Sequence, residues 1–99
     1  MDCEMCGVRM RHRTDEEKKA LNNRLCRIEG QLRGIRAMLD EDRYCPDILT
    51  QTAAAGAALD AFARELLASH IRVCVANDLR EGREGTVEEL LEIIRRMTK

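Results

Sequence analysis

Apolar residues recur at Leu21, Leu25, Ile28, Leu32, Ile35 and Leu39, with gaps that alternate between four and three. That spacing makes a single stripe on an α-helix, a heptad seam that packs lengthwise against another helix. The start of this helix is marked by Thr14-Asp15-Glu16-Glu17. It reads as a capping box, in which Thr14 accepts from the amide of Glu17 and the Glu17 carboxylate reaches back. The helix is expected over about residues 15–41, ending before the turn at Asp42-Arg43-Tyr44. Gly30 and Gly34 fall inside it, and two interior glycines predict close packing.

The helical pattern resumes after Pro46, which suits the first position of a helix and makes Cys45 its expected N-cap. Ile48, Thr52, Ala55, Leu59, Phe62, Leu66, Ile71 and Val75 follow at helical spacing, and the first stop signal is Gly82. A helix over about 46–80 would be roughly 52 Å long at 1.5 Å per residue. A compact chain of this size has a radius of gyration of only about 13 Å. Such a helix must project beyond its own core and find a partner. The run Ala53-Ala54-Ala55-Gly56-Ala57-Ala58 places small side chains at its middle, where a helix crossing is expected. A second capping-box pattern, Thr86-Val87-Glu88-Glu89, opens a third helix over about 87–97, with Val87, Leu90, Leu91 and Ile94 on one stripe. The expected fold is all-α: a three-helix protomer with a long central helix, two copies of which pair antiparallel into a four-helix bundle. Residues 14–99 would form one domain behind a flexible tail at 1–13.

Composition sharpens this picture. Of 99 residues, 35% are charged and only 2% aromatic, so the core is aliphatic and a β-sandwich is disfavoured. The N-terminus lacks the apolar run of a secretory signal, and no stretch reaches membrane-spanning length, so a cytoplasmic protein without a membrane partner is expected. Five cysteines in a reducing compartment point to metal or redox chemistry, not to a disulfide scaffold. The net charge of −1 hides an asymmetry. Residues 9–36 hold nine basic side chains against four acidic ones, whereas residues 37–99 hold eight against twelve. The basic segment is a candidate surface for a polyanion. There is no glycine-rich phosphate loop and no base beside a nucleophile, so an enzyme is not expected.

His70 and Cys74 are four apart on the predicted central helix and share a face. Cys45, at the start of the same helix, would lie about 38–44 Å away along its axis, so one chain cannot bring the three together. Two antiparallel copies crossing near residues 57–60 would place Cys45 of one chain beside His70 and Cys74 of the other, giving two equivalent sites by symmetry. Two thiolates and one imidazole form a soft, low-coordinate set that suits Cu(I), whereas Zn(II) wants a fourth ligand. The plainer alternatives are that Cys45 simply caps a helix and Cys74 packs in a core. Cys3 and Cys6 form a CxxC pair, and Cys26 sits beside the heptad seam as a partly exposed thiol.

Several segments together resemble the copper-sensing operon repressors and their nickel, cobalt, formaldehyde and persulfide-sensing relatives. They are Arg24-Leu25-Cys26-Arg27-Ile28-Glu29-Gly30-Gln31-Leu32-Arg33-Gly34-Ile35, Asp42-Arg43-Tyr44-Cys45, Asp47-Ile48-Leu49 and His70-Ile71-Arg72-Val73-Cys74-Val75. The resemblance runs from about residue 18 to 95. It implies a dimer of three-helix protomers, assembled as a homotetramer, that binds operator DNA without metal and releases it on binding Cu(I). The Cys45, His70 and Cys74 pattern matches the Cu(I) version of that family's site. Tyr44 and Glu89 match a pair that lies behind the ligands, and Arg24 matches a DNA-contacting arginine. Arg27, Arg33 and Arg36 are expected to add phosphate contacts. A further basic contact expected on the second helix falls at Ala61, where this chain departs from the pattern. Two alternatives stay open: a Ni(II) or Co(II) sensor, in which His12 could serve as an extra ligand, and a thiol or persulfide sensor using Cys45 and Cys74.

Overall fold

The computed structural model describes residues 13–98, and every regular element among them is helical. The segments are α1 (Asp15–Asp40), α2 (Cys45–Ser69), a π-helical segment (His70–Val75), α3 (Ala76–Arg80) and α4 (Thr86–Met97). The expected tail at 1–13 lies outside the described residues apart from Arg13. The chain divides into two compact units, one ending at Glu65 and the other beginning at Leu66. No helix among the described residues is long and apolar enough to cross a membrane.

In the first unit, α1 starts as its sequence dictates. The Thr14 hydroxyl oxygen accepts from the Glu17 amide at 3.0 Å, and the Glu17 carboxylate accepts from the Thr14 amide at 3.1 Å. Both halves of the capping box are therefore formed. The helix closes with the Arg43 amide donating to the Met38 carbonyl and the Asp42 amide donating to the Leu39 carbonyl. That double closure is a Schellman motif, and it requires a left-handed residue after the cap. Asp42 supplies it at φ 56°, a position where glycine is the usual choice. Helical bonding in α2 begins one residue earlier than the proline suggests. The Tyr44 carbonyl already accepts from the Ile48 amide, so Cys45 is the first residue of α2 and not its N-cap.

Burial within one chain leaves part of each predicted seam uncovered. Ile28 of α1 and Ala55 of α2 are buried, but Leu32, Leu39 and Leu59 are exposed although they lie on the predicted seams. A Cβ placed on Gly34 or Gly56 would meet nothing within 4 Å, and one on Gly30 would touch only the Arg33 side chain at 3.8 Å. The close approach predicted at these glycines is not made within the chain.

The second unit is organised by one carboxylate. Residues at both ends of the π segment keep right-handed helical dihedrals, so helical backbone carries through to Arg80. The stop then falls at Gly82 as predicted: its φ of +73° permits a second Schellman closure, in which the Arg83 amide donates to the Asp78 carbonyl at 2.9 Å. The Asp78 side chain is buried and pairs with the Arg83 guanidinium at 3.3 Å, while the Thr86 hydroxyl donates to it at 3.4 Å. The predicted capping box at Thr86 is consequently not formed. Gly85, left-handed at φ 84°, occupies the N-cap, and Thr86 is the first helical residue, with its hydroxyl committed to Asp78. Removing that carboxylate takes a partner from the buried Thr86 hydroxyl and from the Arg83 guanidinium. Asp78→Ala is expected to lower the unfolding free energy by about 1–3 kcal/mol, measured by urea denaturation, with α4 amides losing exchange protection first.

Candidate functional site

The three sequence-predicted ligands sit on helical positions that differ in kind. Cys45 opens α2 and is exposed, with a free thiol. His70 and Cys74 both lie on the π-helical segment and are half-buried, and Cys74 is likewise a free thiol. The sequence pattern predicts an uninterrupted α-helix here. Instead, i→i+5 bonding widens the turn over the six residues that carry both side chains. Such local widening is frequent at functional sites, because it re-aims side chains without breaking the helix. Val75 is buried and α4 packs on the π segment, which anchors the turn from beneath.

Within one chain these groups do not assemble. Among the described residues, no three or more His, Cys, Asp or Glu side chains come together in a way that could hold a metal ion. Tyr44 is exposed directly before Cys45, and Glu89 stands in the first turn of α4, the helix that packs on the π segment. Cys3, Cys6 and His12 lie outside the described residues. Cys26 is exposed on α1.

The basic residues form a second constellation, on α1. Arg27, Arg33 and Arg36 are exposed and Arg24 is half-buried. Arg24, Arg27 and Gln31 line a cleft of about 240 Å³ whose opposite wall is Ala58 of α2. Among the described residues none of the four arginines forms an ion pair. Uncommitted guanidiniums on a helix are the equipment for binding phosphate. Ala61, where the family pattern expects a basic side chain, is half-buried on α2. Two features escape sequence reasoning. Gln31 has no charge or period to single it out, and Asp78 meets Thr86 only through the fold of the intervening turn.

Comparison with known proteins places these residues in context. The model of the metal-sensitive transcriptional repressors matches residues 17–96. The copper-sensing transcriptional repressor CsoR of Bacillus subtilis (strain 168) is 44% identical over 91 residues, covering 91% of this chain and 90% of that protein. The crystal structure of the copper-sensing repressor CsoR with Cu(I) from Geobacillus thermodenitrificans NG80-2 superposes with a TM-score of 0.85 at 44% identity, covering 91% of this chain and 95% of that one. The nickel-responsive transcriptional regulator InrS superposes with a TM-score of 0.72 at 40% identity, covering 88% of this chain and 99% of that one.

Proposed function

Because the chain belongs to the metal-sensitive transcriptional repressors, we propose that it is a Cu(I) sensor that holds operator DNA when metal-free and releases it when copper binds. The observation that carries this reading is the donor set. Two free thiols and one imidazole, Cys45, Cys74 and His70, are all at least partly open to solvent. They offer soft ligands in the number that Cu(I) prefers. Cys45 of one protomer joins His70 and Cys74 of another; the support is that an unbroken helix would separate Cys45 from His70 by about 38 Å. Tyr44 and Glu89 flank the ligands in sequence and in the second unit respectively, and would orient them.

The protein works as a homodimer, paired further into a tetramer. Support for association comes from the protomer's thin core, in which the only buried apolar residues among those described are Ile28, Ala55 and Val75. Leu39, Leu49, Leu59 and Leu79 are each more than half exposed, a surface that a lone small domain does not sustain. Arg24, Arg27, Arg33 and Arg36 contact DNA phosphates, which makes binding steeply salt-dependent. Copper held between chains favours a helix arrangement that fits DNA less well. Linkage then requires each ligand to weaken the other by the same factor.

The test is an anaerobic Cu(I) titration followed by X-ray absorption and an operator-binding assay. Three-coordinate sulfur and nitrogen, with DNA affinity falling about 5–150-fold, is the expected result. The similarity to a nickel-responsive regulator gives the alternative a definite signature: higher coordination by nitrogen and oxygen donors, and release by Ni(II) instead. A His70→Ala protein that kept both copper affinity and copper-dependent release would turn the assignment toward a thiol switch at Cys45 and Cys74.

A further inference from the structure

Among the described residues, the cleft between α1 and α2 is lined by two guanidiniums, one amide and Ala58, and by no acidic side chain. Arg24, Arg27 and Gln31 are spaced three and four apart, so they rise from one face of α1. Ala58 is too short to close the opposite side. The Gln31 side-chain carbonyl oxygen Oε1 is shielded from water and has no hydrogen-bond partner. A shielded acceptor without a donor is costly, and such atoms call for an explanation. One helical turn back on the same face, the Arg27 guanidinium is a donor within reach of it. A guanidinium carries five N–H donors. It can give one to an amide oxygen and still present a fork to an oxyanion.

We propose that Gln31 is a positioning residue of the DNA interface: when a phosphate is bound, its unpaired Oε1 accepts from Arg27, so that Arg24 and Arg27 grip one backbone phosphate between them. This rests on the reading of α1 as the DNA-binding face. It goes further in naming the ligand of the cleft as a single phosphodiester and in giving an uncharged residue control over a charged contact. Arg33 and Arg36, exposed further along α1, add diffuse attraction without a walled pocket.

The experiment is operator binding across a salt series, with Cu(I) affinity and the melting temperature measured alongside. Gln31→Leu keeps the side chain's bulk and removes no charge. It is expected to weaken operator binding about tenfold while leaving the salt slope and Cu(I) affinity unchanged. Arg27→Ala should weaken binding and flatten the slope by about 0.9 for the lost phosphate contact. Combining the two should cost no more than Arg27→Ala alone, because Gln31 acts through Arg27. Gln31→Glu gives a second route if the leucine protein melts early: its carboxylate pairs with Arg27 and lowers both affinity and slope. If Gln31→Leu and Gln31→Glu bind like the parent protein while Arg24→Ala and Arg27→Ala are weakened, the role of Gln31 is refuted and the DNA-binding face stands. Additive losses in the double variant refute it as well. Arginine variants that bind DNA normally would instead remove the DNA-binding reading itself.

Discussion

Two chains that are each blind to copper are expected to regain a site when paired. Cys45→Ala and Cys74→Ala each remove one of three ligands from every site in their own homodimers. Loss of a supporting contact behind a metal ligand already costs 10–100-fold in affinity, so loss of a ligand should cost at least about 1,000-fold. In a mixed dimer the two sites become unequal. One receives the substituted position of each chain, so it lacks both thiols and keeps only the imidazole. The other takes Cys45 from the Cys74→Ala chain and His70 with Cys74 from the Cys45→Ala chain, and is complete. Co-expression with two different affinity tags isolates the mixed dimer, and anaerobic titration with a competing chelator counts its tight sites. One tight Cu(I) per mixed dimer, with none in either parent variant, is the expected result. A site confined to a single chain predicts none in all three proteins, because each chain then lacks a ligand of its own. The proposal that the ligand set is shared cannot survive that second outcome.

The proposed ligands were legible for a physical reason. Helical rise converts sequence separation into distance, so an unbroken helix would hold Cys45 far from His70, while the four-residue step from His70 to Cys74 puts those two on one face. The helix ends were legible where a single local interaction decides them. Thr14 and Glu17 bond to each other's amides, and their capping box forms as written. Thr86 and Glu89 carry the same pattern, but the Asp78 carboxylate, eight residues upstream, takes the hydroxyl first. A local motif loses to a tertiary one when a buried charge needs a donor. The π-helical turn at His70–Val75 was not legible, because no residue type marks it and its hydrogen bonds differ from α-helical ones by a single register step. Asp42 was legible as part of a turn but its left-handed backbone was not: Asp42 and Gly82 both adopt positive φ, and only glycine advertises that conformation in sequence.

Periodicity also shows which residues are apolar without saying what covers them. Leu32 and Leu59 keep the spacing of a buried stripe yet remain 54% and 51% exposed in the protomer. Placing a carboxylate at each, as Leu32→Glu with Leu59→Glu, should therefore disturb the single chain little and the assembly severely. Burying a leucine stabilises by about 1.5–3 kcal/mol, and a symmetric dimer carries every substitution twice. Each leucine is already about half covered in the single chain, so losing four of them removes roughly 3–6 kcal/mol, and desolvating four carboxylates adds to that cost. Together these approach the roughly 8 kcal/mol that holds an interface at micromolar concentration. Sedimentation velocity is expected to show the variant at the 11.3 kDa mass of one chain, where the parent protein sediments as a multiple of it. Copper and DNA affinity should then fall together, although neither substitution replaces a thiol, the imidazole or an arginine. Copper affinity falls because each chain holds only part of a ligand set. DNA affinity falls because one chain presents one α1 face in place of several, and phosphate contacts multiply with the number of faces. If the doubly substituted protein stayed associated and bound copper like its parent, these leucines would lie outside any interface, and the pairing of long helices would have to be sought on another face.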